Sequence, residues 1–102
     1  MKIPKKISIL GKEIRIKKID SWKGHDDASE SMVGRYYPDT MTIYIYTKYS
    51  QQTQFEFLLH EINHVVMFLT GINQTMNLQL EECIAQSFAT VYADLIKHNW
   101  KK

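Results

Sequence analysis

The first half of the chain alternates apolar and polar residues, as β-strands do. In "KKISILGKEIRIKKI", residues 5–19, isoleucines recur mostly two positions apart on either side of Gly11. This alternation predicts a β-hairpin that turns near Gly11. Residues 20–34, "DSWKGHDDASESMVG", have no apolar period and predict a loop with room for one short helical turn.

A second extended stretch covers residues 35–49, "RYYPDTMTIYIYTKY". Pro38 and Asp39 divide it into predicted strands near 35–37 and 41–46, because proline suits a turn or a sheet edge. Alternating β-branched and aromatic residues make the second piece the clearest strand. Together with the hairpin, these strands predict a small antiparallel sheet.

After Tyr49 the apolar period becomes helical and predicts two helices, at about 51–70 and about 78–98. Ser50 suits the N-cap of the first helix and Gly71 its C-terminal stop. The predicted main apolar face of the first helix comprises Phe55, Leu58, Leu59, Ile62, Val66 and Leu69. That of the second comprises Ile84, Phe88, Val91, Tyr92, Leu95 and Ile96. We therefore expect an α+β fold in which both helices pack with the sheet.

Composition narrows the function classes. A chain of 102 residues with 44% hydrophobic and 24% charged residues is typical of one soluble domain, here 1–102. The net charge is only +2 and the basic residues alternate with isoleucines, so we expect a solvated strand face and no nucleic-acid partner. No apolar run suits a membrane span or a signal peptide, and the single cysteine, Cys83, excludes an internal disulfide. These features favour the cytoplasm and no membrane partner.

The most informative stretch is "HEINH", residues 60–64, in the first predicted helix. Histidines four residues apart share one helix face, so His60 and His64 can both reach one tetrahedral metal ion. Glu61 lies to one side, where it can take a proton from water on the metal. A random order of this composition gives roughly 0.007 expected matches to the motif, so chance explains it poorly. The alternative interpretation is a buried histidine pair satisfied by hydrogen bonds.

A catalytic zinc usually takes a third protein ligand, and the second helix offers Glu81 and Glu82. Glu82 shares a face with Ala85, Ala89 and Ala93, whose small side chains allow a close approach to the first helix. This spacing favours Glu82. Whichever glutamate is not the ligand is expected to be a first-turn carboxylate stabilised by the helix N-terminus.

The order His60-Glu61-x-x-His64, a turn, and a helix opening with glutamate resembles the gluzincin class of zinc metallopeptidases. It is closest in kind to the small forms common in bacteriophages and prophages, akin to the peptidase domain of the ImmA/IrrE proteins. "FEFLLHEINHVVM" resembles their active-site helix, "GRYYPDTMTIYIY" their upstream strand pair and "IPKKISILGKEIRIKKI" their opening hairpin.

The resemblance implies a zincin-like fold with Zn²⁺ on His60, His64 and Glu82, because "ECIAQSFA" fits the pattern Glu-x-x-Ala-Asn-x-Phe-Ala. Gln86 stands where the pattern often has Asn or Asp, a residue that hydrogen-bonds to a ligand histidine. The resemblance also implies that strand 41–46 is the edge to which a substrate peptide adds, although that strand could equally close one side of the sheet.

The leading hypothesis is a zinc metallopeptidase of narrow specificity that acts on a peptide or protein, with Glu61 as the catalytic base. The alternative is a zinc-stabilised, non-catalytic interaction module, which a fourth ligand such as Cys83 or His98 would favour. Tyr92 is considered as an oxyanion donor or as a core residue. His25 and His98 are expected at the surface.

Overall fold

The computed structural model of the chain describes residues 3–25 and 32–99, which form a four-stranded sheet and two long helices. The elements are β1 (Lys6–Ile9), β2 (Lys12–Ile19), β3 (Gly34–Tyr37), β4 (Thr42–Tyr46), α1 (Gln51–Thr70), a 3₁₀ helix (Ile72–Thr75) and α2 (Leu78–Asn99). The α+β class is confirmed, and each predicted strand and helix is present within a residue or two of its predicted bounds. Residues 26–31 of the predicted loop lie outside the described residues.

The hairpin between β1 and β2 is antiparallel and turns at Leu10 and Gly11. Both residues have positive φ, 51° and 78°, which is the backbone of a type I′ turn. Gly11 adopts this conformation without steric cost, whereas Leu10 does so with a side chain that is 70% exposed. The predicted turn near Gly11 is confirmed.

The sheet is mixed, and the prediction of a wholly antiparallel sheet is wrong. The strand order is β1-β2-β4-β3, and β2 runs parallel to β4, with Arg15 beside Thr42 and Ile19 beside Tyr46. The connection from Ile19 to Gly34 is long enough for β3 to form at a distance of one strand from β2. The next strand, β4, then lies between β2 and β3 and pairs with both. The strand predicted at 41–46 is therefore internal. It is not the edge to which a substrate peptide could add, and it does not close one side of the sheet. The edge strand next to α1 is β3.

The core lies between α1 and the inner face of the sheet. Its fully or nearly fully buried residues are Ile3, Ile14, Ile16, Ile43, Ile45, Leu58 and Val65. Apart from Ile3, which precedes β1, the isoleucines come from alternate positions of β2 and β4, as period-2 patterning requires. On α1, Val65 and Met67 are buried while Val66 is 38% exposed, which differs from the predicted face. The difference arises because α1 is covered on two sides, by the sheet and by α2.

The two helices pack through small residues. Ala85, Ala89 and Ala93 are buried, at 0%, 0% and 3% exposure, and α2 packs against α1. Asn63 of α1 also donates from Nδ2 to the carbonyl of Ala85, at 3.0 Å. The approach of the alanine face to α1 was predicted, whereas four residues of the predicted main apolar face, Phe88, Val91, Tyr92 and Leu95, are 45–53% exposed. Alanines allow the backbones to come closer than large side chains would.

Both ends of α1 are fixed by the residues predicted to cap it. The Ser50 side chain accepts a hydrogen bond from the Thr53 N–H, and Gly71 ends the helix with φ of 79°. The histidines lie in the interior of this helix, where the backbone is most rigid. In the described part of the chain, no helix combines the length and apolarity that crossing a membrane requires.

Replacing Ala89 with Leu should destabilise the fold, because the buried seam between the helices has no room for a larger side chain. We expect the free energy of unfolding, measured by urea denaturation, to fall by about 1–3 kcal/mol. Ser87→Leu is the matched control, since Ser87 is exposed on the same helix, and it should change stability by less than about 0.5 kcal/mol. Equal losses in the two variants would contradict the close packing of α2 on α1.

Candidate metal centre

The two histidines of α1 point their Nε2 atoms at each other. These atoms are 3.1 Å apart, and the His60 ring is buried, with 7% exposure. Glu61 is also buried, and one ligand atom each from His60, Glu61 and His64 lies within 4.8 Å of the other two. This group of side chains could hold a metal ion.

The N-terminal part of α2 brings Glu82 to the same point. Its two carboxylate oxygens lie 2.6 Å from His64 Nε2 and 3.4 Å from His60 Nε2. The Glu82 side chain is 52% exposed, so the point at which the three groups meet opens to solvent. The structure therefore brings together His60, His64 and Glu82, the three ligands predicted from the sequence.

Glu81 occupies a different position relative to the histidines. Its Oε2 atom lies 2.6 Å from His64 Nδ1, on the side of the ring remote from His60. The adjacent glutamates thus contact opposite nitrogens of one imidazole: Glu82 at Nε2 and Glu81 at Nδ1. Glu81 fixes the orientation of the His64 ring, as a carboxylate does beside a metal-binding histidine.

Gln86 makes the corresponding contact with His60. Its Oε1 atom lies 2.9 Å from His60 Nδ1, and its Nε2 donates to Thr90 Oγ1 at 3.2 Å. The bond to Thr90 directs the amide nitrogen away from the histidine, which leaves the amide oxygen to accept from Nδ1. A glutamine therefore reaches the histidine from the position at which the resemblance would place Asn or Asp.

These contacts determine which ring nitrogens are available. Gln86 accepts from Nδ1 of His60, so that nitrogen carries the proton of the neutral ring and Nε2 of His60 carries a lone pair. His64 instead has a carboxylate oxygen beside each of its nitrogens, Glu81 at Nδ1 and Glu82 at Nε2. The two Nε2 atoms and the Glu82 carboxylate meet within 3.4 Å, so a proton or a cation between them is needed to offset the crowding of acceptor atoms. Two imidazole nitrogens and one carboxylate oxygen form a donor set that catalytic zinc sites use. The residues present thus fit a metal ion.

Glu61 lies beside this point in a position that disfavours its charge. Burial is the largest effect on Glu61 and raises the pKa of its carboxyl, and the nearby Glu82 carboxylate raises that pKa further. His64, His60 and a hydrogen bond from the Tyr36 backbone act in the opposite direction but do not cancel the effect of burial. Gly34 of β3 allows this close packing. A Cβ atom at Gly34 would lie 3.5 Å from Glu61 Cγ and only 3.2 Å from the Tyr44 carbonyl oxygen.

The site opens into a cleft of about 700 Å³ between β3 and the two helices. Its lining includes three polar residues that sequence analysis did not single out, Arg35, Tyr36 and Asn73. Burial raises the pKa of the Tyr36 hydroxyl, which favours its protonated, hydrogen-bond-donating form. Tyr92 fits neither predicted role, because it is 45% exposed, stacks on Phe88 and is not among the residues that line the cleft.

The other candidate residues lie apart from the metal group. Cys83 is exposed and is not a member of the group that the described residues form. The side chain of His98 lies outside the described residues. His25 is half-buried, in edge contact with Trp22 and Tyr44 and within 3.2 Å of the Tyr37 hydroxyl, so its predicted surface position is only partly correct. These aromatic contacts indicate a structural role for His25.

Comparison of the chain with models of protein families, with curated proteins and with solved structures gave no match.

Glu61→Gln should stabilise the metal-free protein at neutral pH. Because the folded-state pKa of Glu61 lies above its ordinary value of 4.5, the folded protein binds this proton more tightly than the unfolded chain. Ionisation therefore costs stability as the pH rises above about 4.5, and glutamine, which does not ionise, avoids that cost. Thermal unfolding in the presence of a chelator should show a gain for the variant at pH 7 that disappears in acid.

Glu56→Gln on the same helix is the matched control for this experiment, since Glu56 is not a member of the metal group. It should show no comparable pH-dependent gain. A Glu61→Gln variant that is less stable than wild type at pH 7, or a gain independent of pH, would contradict the burial of an ionised carboxylate at this position.

Proposed function

We propose that this chain is a zinc-dependent hydrolase of the metallopeptidase type, which cleaves a peptide bond in a peptide or protein substrate. The proposal rests on one observation: two imidazole Nε2 atoms and the Glu82 carboxylate converge within 3.4 Å beside the buried carboxyl of Glu61. His60, His64 and Glu82 would hold the metal. When bound, zinc would supply Lewis acidity, which acidifies water and polarises a carbonyl group.

Glu61 is the proposed general base. Its carboxyl adjoins the ligand atoms without being required to complete a three-ligand set. Because burial raises its pKa, Glu61 is suited to take a proton from the attacking water, hold it and pass it to the leaving amine. The Tyr36 hydroxyl and the Asn73 amide, which both line the cleft, are the candidates to stabilise negative charge on the substrate oxygen.

The substrate backbone would bind along β3, the edge strand at the cleft, instead of β4. Tyr46 donates to the Val33 carbonyl, so in this antiparallel register Arg35 and Tyr37 bond to β4 while Gly34 and Tyr36 direct their backbone groups away from it. The backbone of Tyr36 already bonds to Glu61 on that side, so a substrate strand would pair with the remaining groups. An extended peptide could add there as a further strand. Since β3 is only four residues long, few substrate residues would be recognised, which favours one or a few partners over broad degradation.

Purified wild-type protein should carry one zinc ion per chain in native mass spectrometry at neutral pH. Glu82→Ala should weaken zinc binding by more than about a hundredfold in competition with a chelating dye, because it removes a ligand. Glu56→Ala, on α1 but outside the metal group, is the control and should bind zinc as wild type does. Absence of zinc from wild type after zinc is supplied, or equal affinity in Glu82→Ala, would rule out the proposed site.

Glu61→Gln should retain zinc and lose turnover. The substrate for this test is the peptide that wild type cleaves fastest in a mixed peptide library, with cleavage followed by mass spectrometry. Loss of the general base should lower kcat by about 10²–10⁴, with little change in zinc content. Glu56→Gln serves as the control with wild-type turnover. Wild-type turnover in Glu61→Gln would show that another group accepts the proton.

A further inference from the structure

Helix α2 has two apolar faces, and only one of them packs within the described chain. The alanines at 85, 89 and 93 are buried against α1. A second face carries larger residues at helical spacing and remains exposed: Phe88 by 49%, Val91 by 53% and Leu95 by 45%, with Ile84 half-buried. At 100° per residue this second face is centred about 130° from the alanine face. We call the four residues Ile84, Phe88, Val91 and Leu95 the outer seam.

The outer seam continues onto neighbouring apolar residues and forms one patch. Next to it lie Val66 at the end of α1, Ile72 in the 3₁₀ helix, Leu80 and Tyr92, each 38–50% exposed. A groove of about 770 Å³ runs through the patch between Val66, Ile72 and Phe88. The eight apolar residues of the patch together expose roughly 600–800 Å² of accessible surface. This is close to the ~800 Å² that each partner contributes to a standard interface. A patch of this size marks an interaction surface.

The spacing of the outer seam identifies the partner. Its residues follow a 4-3-4 pattern, the a/d period of helices that pair along their length. The pattern is also symmetric about a point midway between Ala89 and Thr90. In an antiparallel pair related by a two-fold axis through that point, Phe88 faces Val91 of the other copy and Ile84 faces Leu95. Each contact joins two apolar side chains, and the aromatic ring meets the smaller valine.

We propose that the outer seam is a homodimer interface, formed by antiparallel pairing of α2 with α2 of a second copy. The two-fold symmetry makes every contact occur twice, as an isologous interface requires. Glu82 and Gln86 lie on the α2 face that also carries the alanines, and Glu81 lies between the two faces with its carboxylate bonded to His64, so pairing through the outer seam leaves the cleft open. The dimer is independent of the proposed activity and would form whether or not the site hydrolyses peptides.

The oligomeric state tests the proposal. Sedimentation velocity of the wild-type chain over a micromolar to submillimolar range should show a reversible monomer–dimer equilibrium. Val91→Asp and Leu95→Asp should each raise the dimer dissociation constant by more than about a hundredfold, because two-fold symmetry places two carboxylates in an apolar interface. Circular dichroism should show unchanged helix content, since both positions are already about half-exposed.

Leu10→Asp is the matched control, because Leu10 is 70% exposed in the β1–β2 turn and far in sequence from the seam. It should dimerise as wild type does. A monomeric wild type throughout the concentration range, or a dimer unaffected by both Val91→Asp and Leu95→Asp, would overturn the proposal.

Spin labels distinguish antiparallel from parallel pairing. In a Cys83→Ser background, labels at Ser87 and at Gln79, both exposed on α2, report the offset along the helix axis. Antiparallel pairing separates equivalent positions along the axis by about 8 Å at Ser87 and about 32 Å at Gln79. Parallel pairing gives no axial offset at either position. Equal distances at the two positions would therefore also overturn the proposed arrangement.

Discussion

The close packing of α2 on α1 is the constraint on which the site depends. Buried alanines at 85, 89 and 93 let the two helix backbones approach, and the bond from Asn63 to the Ala85 carbonyl fixes their register. A glutamate side chain is short, so the Glu82 carboxylate reaches two imidazole nitrogens only because the helices are this near. Larger residues on that face would move α2 outward and separate the carboxylates from the histidines. The same alanines that stabilise the pair of helices therefore also determine whether a three-ligand site can exist.

The polar contacts around the histidines have consequences that the ligand set alone would not have. Glu81 and Gln86 each contact the Nδ1 atom of one ring, so neither ring can turn without losing a partly buried hydrogen bond. The two Nε2 atoms are thereby held close together, at the point that the Glu82 carboxylate also reaches. Crowding these atoms and burying the Glu61 carboxyl both cost stability, and local conflicts of this kind concentrate at functional sites.

Sequence patterning predicted the parts of this molecule whose structure is set locally. The type I′ turn at Gly11, the Ser50 cap and the Gly71 stop each depend on residues close in sequence, and the alanine spacing indicated which face of α2 would meet α1. Strand direction and order were not predictable, because an alternating strand such as 42–46 looks the same whether its neighbour is parallel or antiparallel. The main apolar face of α2 did not reveal its own exposure. Hydrophobicity alone does not separate a face that packs within the chain from one that stays in solvent, and here packing distance placed the alanines inward and left Phe88 and Leu95 about half-exposed.

The inward alanines explain how one helix can serve two purposes. A helix that buried its largest apolar face against α1 would hold its neighbour at a greater distance, and its glutamates would project elsewhere. By using alanines inward, α2 keeps its carboxylates at the histidines and leaves Phe88 and Val91 in solvent. Exposed apolar surface of this extent favours self-association, and a second copy on the outer seam would bury it without touching the cleft. In this view the dimer compensates for the packing that the metal centre requires, and the two features of α2 have a single physical cause.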